Sequence, residues 1–538
     1  MNQAATERRA DVLALGFLLG GLGVYCGIAV YFGRRPEEDA AMLLRYSRHL
    51  ASDRGIVWNV GEPPVDGATD FLFMLLVALL HRAGLSLESG AQGIGLVAHA
   101  ATVALVYCGA RRLHGASPAL ALVPATYLAF GPALRYTTAS FGTPLFALAA
   151  TLAWWAATRA AQAEPKALPG ASLRLALASL LLGLARPEGV FLGAFFLAAV
   201  LFYRRGDGAR VLVSRFALVF LTLGLAYWLW RWHYFGHPLP NPFYKKGGGV
   251  LHLHSLQKAW RDLFRLTLPF LTVVAAGLFL KATRRAALFV LLPVTAFVVL
   301  WVLISDETNY VMRFRYPILP VVLLGFAGVA GPMLAPVARL LSSSSPISRL
   351  VTAWTLALIA AAGLAAHQHS SFRQVAPKRM GLHAAALVLR DYSRRNYALA
   401  TTEAGLLPLY STWRAVDAWG LNDAWIAHHG GVTEDYLDRY RPEVIVFHAY
   451  FSPETPESGP RVEARSLGPG WYRMVMTLKA YAEKNGYTLA AVFGRDAWDT
   501  HYYYVRKGFP ESREIANRLH ALDYYWDGER AANFAPAP

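Results

Sequence analysis

Long apolar runs separated by short connectors fill the first 366 residues, and this alternation restricts the fold more than any other feature. An apolar α-helix of about 20 residues crosses a bilayer, whereas a membrane barrel would show short alternating strands. Since 55% of the residues are hydrophobic and 16% are charged, we predict a mainly α-helical polytopic membrane protein with about eleven spans. The predicted spans are 11–32, 91–110, 119–134, 141–158, 175–185, 190–203, 211–232, 264–280, 287–304, 316–337 and 350–366.

Basic residues concentrate in the connectors and give the chain a formal net charge of +17. Short cytoplasmic loops of membrane proteins are enriched in Lys and Arg. One consistent alternation places the connectors around Arg8, Arg111 and Arg204 inside, so the N-terminus is predicted to be cytoplasmic. A charge distributed in this way indicates membrane lipids as neighbours and does not indicate a nucleic-acid partner.

The chain changes character at residue 368, where polar residues increase and apolar runs shorten. The segments 443–450 and 487–493 have the composition of strands, and 380–394 and 471–484 have helical periodicity. We therefore predict two domains. A transmembrane domain, 1–367, has an outer loop at 33–70, and a soluble extracytoplasmic α/β domain covers 368–538.

The loop 33–70 contains the densest acidic cluster of the apolar half. Glu37, Glu38 and Asp39 directly follow the first predicted span, and acids at a membrane surface indicate function more often than structure. The ordinary alternative is a set of acids at a helix N-terminus, favoured by the helix dipole. A helix is predicted from Ala40, and the turn residues after it bring Asp66 back toward the acids.

Metal ligands are not predicted from the sequence. Cys26 and Cys108 both fall inside predicted spans, which supports neither a disulfide framework nor a cysteine-ligated ion. His252 and His254 have ligand-like spacing, but no third ligand accompanies them, so a surface loop is the simpler interpretation.

The motifs follow one another in an order that resembles a known family. The loop carries two adjacent acids, an Arg-Tyr pair, an Asn, a Gly-Glu pair and an acid-Gly-x-Thr turn: Glu38, Asp39, Arg45, Tyr46, Asn59, Gly61, Glu62, Asp66, Gly67 and Thr69. TPLF at 143–146, ARPEG at 185–189, LPNPFYKK at 239–246, RFRYPILP at 313–320 and the segment 403–423 follow. This set resembles the bacterial GT-C-type glycosyltransferases that depend on polyprenyl phosphate, including the mycobacterial terminal arabinofuranosyltransferase group.

The resemblance implies an inverting glycosyltransferase of the bacterial cytoplasmic membrane. It would move a sugar, such as arabinofuranose or a related pentose or hexose, from a polyprenyl-phosphate donor to an envelope glycan or lipid acceptor on the outer face. No particular cofactor is implied and a divalent cation is left open, because Arg and Lys alone can neutralise a monophosphate. Two positions depart from the family pattern: Glu38 stands where Asp is usual, and Gly142 where Glu is frequent. The sugar is therefore left open.

An inverting transfer requires a carboxylate base for the acceptor hydroxyl and cations for the departing phosphate. Asp39 is predicted to be the base, with Glu38 as the alternative and Arg45 as a cationic neighbour. The donor phosphate is predicted to bind Arg45, Lys245, Lys246 and Arg313. The remaining substrate-binding candidates are Tyr46, Asn59, Asp66, Arg186, Glu188, Asn241, Tyr244 and Asp306.

Ordinary structural roles compete with several of these assignments. Arg186 and Glu188 have the spacing of an ion pair at a helix junction, and Lys245 and Lys246 have that of a solvated loop. Two other functions also fit a polytopic chain with an outer domain. One is a lipid or glycan transporter, which would show matching halves with interrupted helices, and no such repeat is present. The other is a non-catalytic envelope assembly protein.

Overall fold

The structure is a computed structural model that describes residues 3–32, 35–247, 249–305, 309–340, 380–455, 468–526 and 528–538, and the single residues 348, 351, 355 and 457. Helices make up the described part before residue 341, and a mixed α/β unit follows from residue 380. The predicted fold class, a helical membrane protein with a C-terminal α/β domain, is confirmed.

Six described helices are long and apolar enough to cross a bilayer, and a bent helix pair raises this number to seven. They make the chain a multi-pass membrane protein. The count of eleven spans is not confirmed, and the last predicted span, 350–366, lies outside the described residues apart from Val351 and Thr355. The long helices are Glu7–Tyr31, Leu87–His114, Leu168–Ala185, Ala209–Phe235, Arg284–Val302 and Tyr316–Met333.

The other helices of this part are shorter or more polar. They comprise α-helices and short 3-10 turns: Glu38–Ala51, Phe71–Arg82, Pro118–Ala129, Ala133–Thr138, Thr143–Gln162, Glu188–Tyr203, Asn241–Gly247, Leu253–Thr267, Phe270–Ala276, Gly277–Phe279 and Tyr310–Met312. The apolar segment near residue 71 is a 12-residue helix, too short to cross a bilayer.

Two segments differ from the sequence prediction. The span predicted at 264–280 is a pair of helices, Leu253–Thr267 and Phe270–Phe279, bent by 100°. Pro269 lies at the break, where its missing N–H interrupts the helical hydrogen bonding. The segment around Lys245 and Lys246, for which a solvated loop was the ordinary interpretation, instead forms the helix Asn241–Gly247. Proline is favourable in a first helical turn, so Pro242 starts this helix instead of preventing it.

The C-terminal part is built on a mixed sheet of six strands. Strands β1 (Ala398–Thr401), β2 (Arg414–Asp417), β3 (Val444–Ala449), β4 (Tyr487–Asp496), β5 (Asp499–Arg506) and β8 (Ala532–Asn533) lie in the order β2-β1-β3-β5-β4-β8. Strand β1 is parallel to both neighbours, whereas β3, β5, β4 and β8 pair antiparallel. A hairpin of β6 (Tyr525–Trp526) and β7 (Glu529–Arg530) stands beside it. The helices are Gly381–Arg390, Ser393–Arg395, Leu406–Ser411, Ala424–His428, Glu434–Tyr440, Pro469–Lys484 and Ser512–His520.

The loop after the first span belongs to the core of the C-terminal unit. Leu44 and Trp58 of the loop pack in one hydrophobic cluster with Leu406 and Trp413. The indole Nε1 of Trp58 also donates to the Ala415 carbonyl, 2.8 Å away. Burying these apolar side chains contributes about 1.5–3 kcal/mol each, so loop and domain form one packed body.

Candidate functional site

Two cavities meet at Asp39. The first, of about 390 Å³, lies between the loop helix Glu38–Ala51 and the C-terminal domain, and it is mainly polar in its residues. The second, of about 330 Å³, extends among the membrane helices and is mostly apolar. Asp39 and Lys246 line both cavities. A ligand with an apolar chain and a charged head could therefore meet a second, polar ligand at Asp39.

Asp39 is paired with Arg313 at this junction. The Arg313 Nη2 donates to Asp39 Oδ2 over 2.6 Å, and the guanidinium lies 4.4 Å from the ring centroid of Phe141. The two residues before Arg313 have the left-handed φ values of 46° (Val311) and 61° (Met312). A β-branched residue rarely adopts this conformation, and such strain is frequent at functional sites. It turns the chain so that Arg313 faces the acid.

Arg45 does not lie beside Asp39, contrary to the prediction. The two residues are six positions apart in one helix, a rotation of about 600°, which places them on different faces. Arg45 is 2% exposed and points into the C-terminal domain. Among the described residues that line either cavity, Arg45 is absent.

The Arg45 guanidinium is saturated by protein acceptors. It donates to the backbone carbonyls of Trp58 (2.8 Å), Pro408 and Trp413 (2.9 Å), and to Asn59 Oδ1 (3.0 Å). Burial, together with the charge of Arg48, lowers its pKa to about 9. The residue holds the loop to the C-terminal domain.

Glu38 performs a related task from the start of the same helix. Its carboxylate accepts hydrogen bonds from the backbone N–H groups of Gly405 and Leu406, at the N-terminus of the helix Leu406–Ser411. Burial and the nearby Glu403 carboxylate raise the pKa of Glu38. Glu38 is thus bound by backbone N–H groups, whereas Asp39 pairs with the Arg313 side chain where the two cavities meet.

Arg186 and Glu188 line the apolar cavity and form the ion pair expected from their spacing. Arg186 Nη2 lies 2.9 Å from Glu188 Oε1, and Arg186 also pairs with Asp70. Gly142 makes room for this cluster, because a Cβ there would lie 2.7 Å from Asp70 Oδ2. The Asp70 carboxylate therefore occupies the space beside Gly142, the position at which Glu is frequent in the family.

The two lysines of the PFYKK segment lie at the first cavity. Lys245 Nζ is 4.1 Å from the ring centroid of Trp419, and burial lowers the pKa of this lysine. Lys246 lines both cavities. The Tyr244 ring lies 4.3 Å from that of His428, centroid to centroid, at a tilt of 47°, and so packs against the C-terminal domain.

Four of the remaining predicted residues connect parts of the protein. Tyr46 donates to Asn422 (3.2 Å), and Asn59 Nδ2 donates to the Ala415 carbonyl (3.0 Å). Asp66 pairs with Arg231, and Asn241 Nδ2 donates to the Gly420 carbonyl (2.7 Å). Asp306 lies outside the described residues. The structure thus gathers Asp39, Lys246 and Arg313 at one place, whereas Arg45 and these four lie around it.

The sequence prediction did not include the C-terminal wall of the first cavity. Asp417, Glu403 and His448 line it, the first held by backbone N–H groups of residues 419, 420 and 422. Burial raises the pKa of Glu403, and His448 opposes this shift. Burial lowers the pKa of His448, but Asp499 and Glu403 outweigh it, so the pKa is raised overall. Glu403 and Asp417 lie within the segment 403–423 that carries part of the family resemblance, and this was the signal that could have found them.

Comparison with known proteins places this geometry in a wider context. Residues 367–507 match a family model described as a domain of unknown function (DUF8728). No curated protein matches the sequence. ArnT from Cupriavidus metallidurans bound to undecaprenyl phosphate superposes with a TM-score of 0.55 at 13% identity, covering 93% of this chain and 99% of ArnT. The two chains share a fold.

Two further solved structures resemble the chain. The apo state of ArnT from Cupriavidus metallidurans gives a TM-score of 0.51 at 15% identity, covering 91% of this chain and 97% of ArnT. The archaeal oligosaccharyltransferase AglB from Archaeoglobus fulgidus, in complex with an inhibitory peptide and a dolichol-phosphate, gives 0.49 at 11% identity, covering 92% of this chain and 75% of AglB.

Proposed function

We propose that the chain is an inverting glycosyltransferase that uses a polyprenyl-phosphate sugar. One observation carries the proposal: Asp39, beside a cation, lies where an apolar cavity meets a cavity lined largely by charged and polar residues. A lipid-linked donor requires the first environment and a hydroxylated acceptor the second. ArnT, which shares the fold, has been crystallised with undecaprenyl phosphate, which supports a donor of this class.

The donor chain would lie in the apolar cavity, among side chains such as Leu239, Phe243 and Trp301. Its phosphate would bind Arg313 and Lys246, which both line that cavity. An anion there competes with Asp39 for Arg313, so donor binding releases the Asp39 carboxylate. We leave Arg45 out of this donor site because its donors are already used by the protein.

The reaction itself needs one proton acceptor and one stabilised leaving group. Asp39 takes the proton of the acceptor hydroxyl, and the hydroxyl oxygen attacks the anomeric carbon from the side opposite the phosphate. The bond between that carbon and the phosphate oxygen breaks, and its electron pair leaves with the phosphate. Arg313 and Lys246 stabilise the charge that develops there. The configuration is inverted in this single displacement.

The site would face the outside of a bacterial cytoplasmic membrane, with a cytoplasmic N-terminus. The acceptor would be an envelope glycan or lipid, and the sugar would be arabinofuranose or a related pentose or hexose. Topology reporters fused near Arg205 and Pro460 test this orientation. Opposite sides are expected, and the same side for both fusions would reject it.

A deletion strain tests the activity even while the sugar is unidentified. Mass spectrometry is expected to find one polyprenyl-phosphate sugar accumulating and the matching substituent missing from an envelope glycan or lipid. The wild-type gene restores both pools, and the Asp39→Asn gene does not. Unchanged pools, or full restoration by Asp39→Asn, would reject the proposal and favour transport or assembly.

A further inference from the structure

Two histidines and a glutamate converge in the C-terminal wall of the first cavity. His448 of β3 and His501 of β5 are direct partners in the antiparallel register, so their side chains leave the same face of the sheet. Thr401, the last residue of β1, is level with Val446 of β3. Glu403 follows two residues later and thereby reaches the two imidazoles.

The distances among these groups match those of a metal site. His448 Nδ1 and His501 Nε2 each lie 3.8 Å from the same oxygen, Glu403 Oε1, and the three ligand atoms are all within 4.8 Å of one another. Zinc bonds of about 2.0–2.2 Å at a tetrahedral angle separate ligand atoms by about 3.4 Å. An inward movement of up to about 0.7 Å by each side chain therefore closes the site.

The outer nitrogen of each imidazole already has the partner that a metal ligand uses. His448 Nε2 donates to Asp499 Oδ1 over 2.6 Å, and His501 Nδ1 lies 2.8 Å from the Tyr524 hydroxyl. The Asp499 carboxylate only accepts, so it fixes the His448 tautomer in which Nδ1 presents its lone pair to the ion. The Tyr524 hydroxyl can accept a hydrogen bond from His501 Nδ1 in the same way when His501 Nε2 binds the ion. Both free lone pairs then point toward Glu403.

The surroundings are acidic and partly dry. Glu403 and Asp499 flank the imidazoles, and Glu38 lines the same cavity. The indole of Trp526 covers the pair, with its centroid 4.3 Å from that of His501. A cation at the centre would balance this concentration of carboxylates in a setting where water screens them poorly.

From this geometry we infer that Glu403, His448 and His501 bind a divalent transition-metal ion, with Zn²⁺ the best match. Two imidazole ligands favour Zn²⁺ over Mg²⁺ or Ca²⁺, which prefer oxygen. Three protein ligands leave a fourth position open, as in catalytic zinc sites. Because Glu403 and His448 line the cavity, this position faces it and would take water or an oxygen of the acceptor. Only that last role rests on the proposed function.

Metal binding by the full-length protein tests the inference directly. The protein is purified with a tag that contains no histidine, stripped with a chelator and titrated with ZnCl₂ by calorimetry. CoCl₂ titration followed by visible absorption reports the coordination geometry. One equivalent of Zn²⁺ and a tetrahedral or five-coordinate Co²⁺ spectrum are expected, and the melting temperature should rise with Zn²⁺.

Variants separate this site from adventitious binding. Glu403→Gln and His448→Gln should each weaken Zn²⁺ binding by more than about 100-fold, and Asp499→Asn by about 10–100-fold. His429→Gln and Glu434→Gln, in the same domain but away from the cluster, serve as controls and should bind like the wild type. Asp499→Asn keeps all three ligands, so it stays informative if a ligand variant fails to fold.

Absence of stoichiometric Zn²⁺ binding by the wild type, or wild-type affinity in Glu403→Gln and His448→Gln, would overturn the inference. Neither result bears on Asp39 or the donor cavity. Conversely, the deletion-strain experiment can fail while the protein still binds Zn²⁺, so the two proposals are tested independently.

Discussion

Arg45 and Arg313 are both buried arginines near the same loop, yet they occupy opposite kinds of environment. Arg45 is 2% exposed and donates to three backbone carbonyls and one amide oxygen. Arg313 is 8% exposed, pairs with a carboxylate and lines a cavity. Burial and charge alone therefore do not identify a ligand site. What matters is whether the partners are fixed backbone atoms or a side chain that a ligand can displace.

The largest effect should follow from removing Asp39, the proposed base that pairs with Arg313. Asp39→Asn keeps the shape of the side chain but cannot accept a proton, so sugar transfer should fall by about 10²–10⁴-fold. The donor is the one that accumulates in the deletion strain, and undecaprenyl phosphate binding measured by native mass spectrometry should be retained or become tighter, because a neutral Asn competes less for Arg313. Glu38→Gln is the matched control. Full activity in Asp39→Asn with loss in Glu38→Gln would assign the base to Glu38.

Arg45→Lys tests whether Arg45 has a structural role. A lysine cannot reach all four acceptors, and leaving buried carbonyls unsatisfied should lower stability by about 2–4 kcal/mol. The melting temperature of the detergent-solubilised protein measures this loss. The fraction that stays folded should bind undecaprenyl phosphate with wild-type affinity. A selective loss of that affinity at an unchanged melting temperature would return Arg45 to the donor site.

Arg313→Gln gives the reverse pattern. A charge-assisted contact to phosphate contributes about 1.5–3 kcal/mol, so the affinity for undecaprenyl phosphate should fall by about 10–100-fold. The melting temperature should change less than it does in Arg45→Lys, because a cavity wall can admit water. Unchanged affinity in this variant would remove Arg313 from the donor site.

Gly405→Ala tests the contact between the loop and the domain with one methyl group. The added Cβ would lie 1.9 Å from the Glu38 carbonyl oxygen, so one backbone must move. A loss of about 1–3 kcal/mol is expected. Gly470→Ala is the control, because its Cβ would make only ordinary contacts at 3.7 Å with Trp419. Equal melting temperatures for the two variants would show that the close contact is relaxed in solution.

Local patterns predicted more of the fold than of the site. Apolar runs and strand composition identify elements such as Leu87–His114 and Val444–Ala449, because their signals lie within the element itself. The bend at Pro269 and the helix started by Pro242 were missed, since the same residue ends one helix and begins another according to its position.

The site depends on contacts that are distant in sequence. Asp39 was found because an acid after a span is unusual, but its partner Arg313 is fixed only by folding. The pairing of His448 with His501 depends on strand register, which a single sequence does not determine. Arg45 was assigned to the phosphate for the same reason: its acceptors at Pro408 and Trp413 come from another part of the chain.

The first cavity also imposes an order on biogenesis. Its wall begins at Glu38 and is completed by Trp471, so the ribosome must translate most of the chain between the two. At about 5–20 residues per second this interval lasts roughly 20–90 s. For most of that time the loop helix lies at the membrane without the Pro408 and Trp413 carbonyls that Arg45 will bind. A nascent or prematurely terminated polypeptide therefore carries Asp39 but no complete cavity, and competence is acquired only when translation is nearly finished.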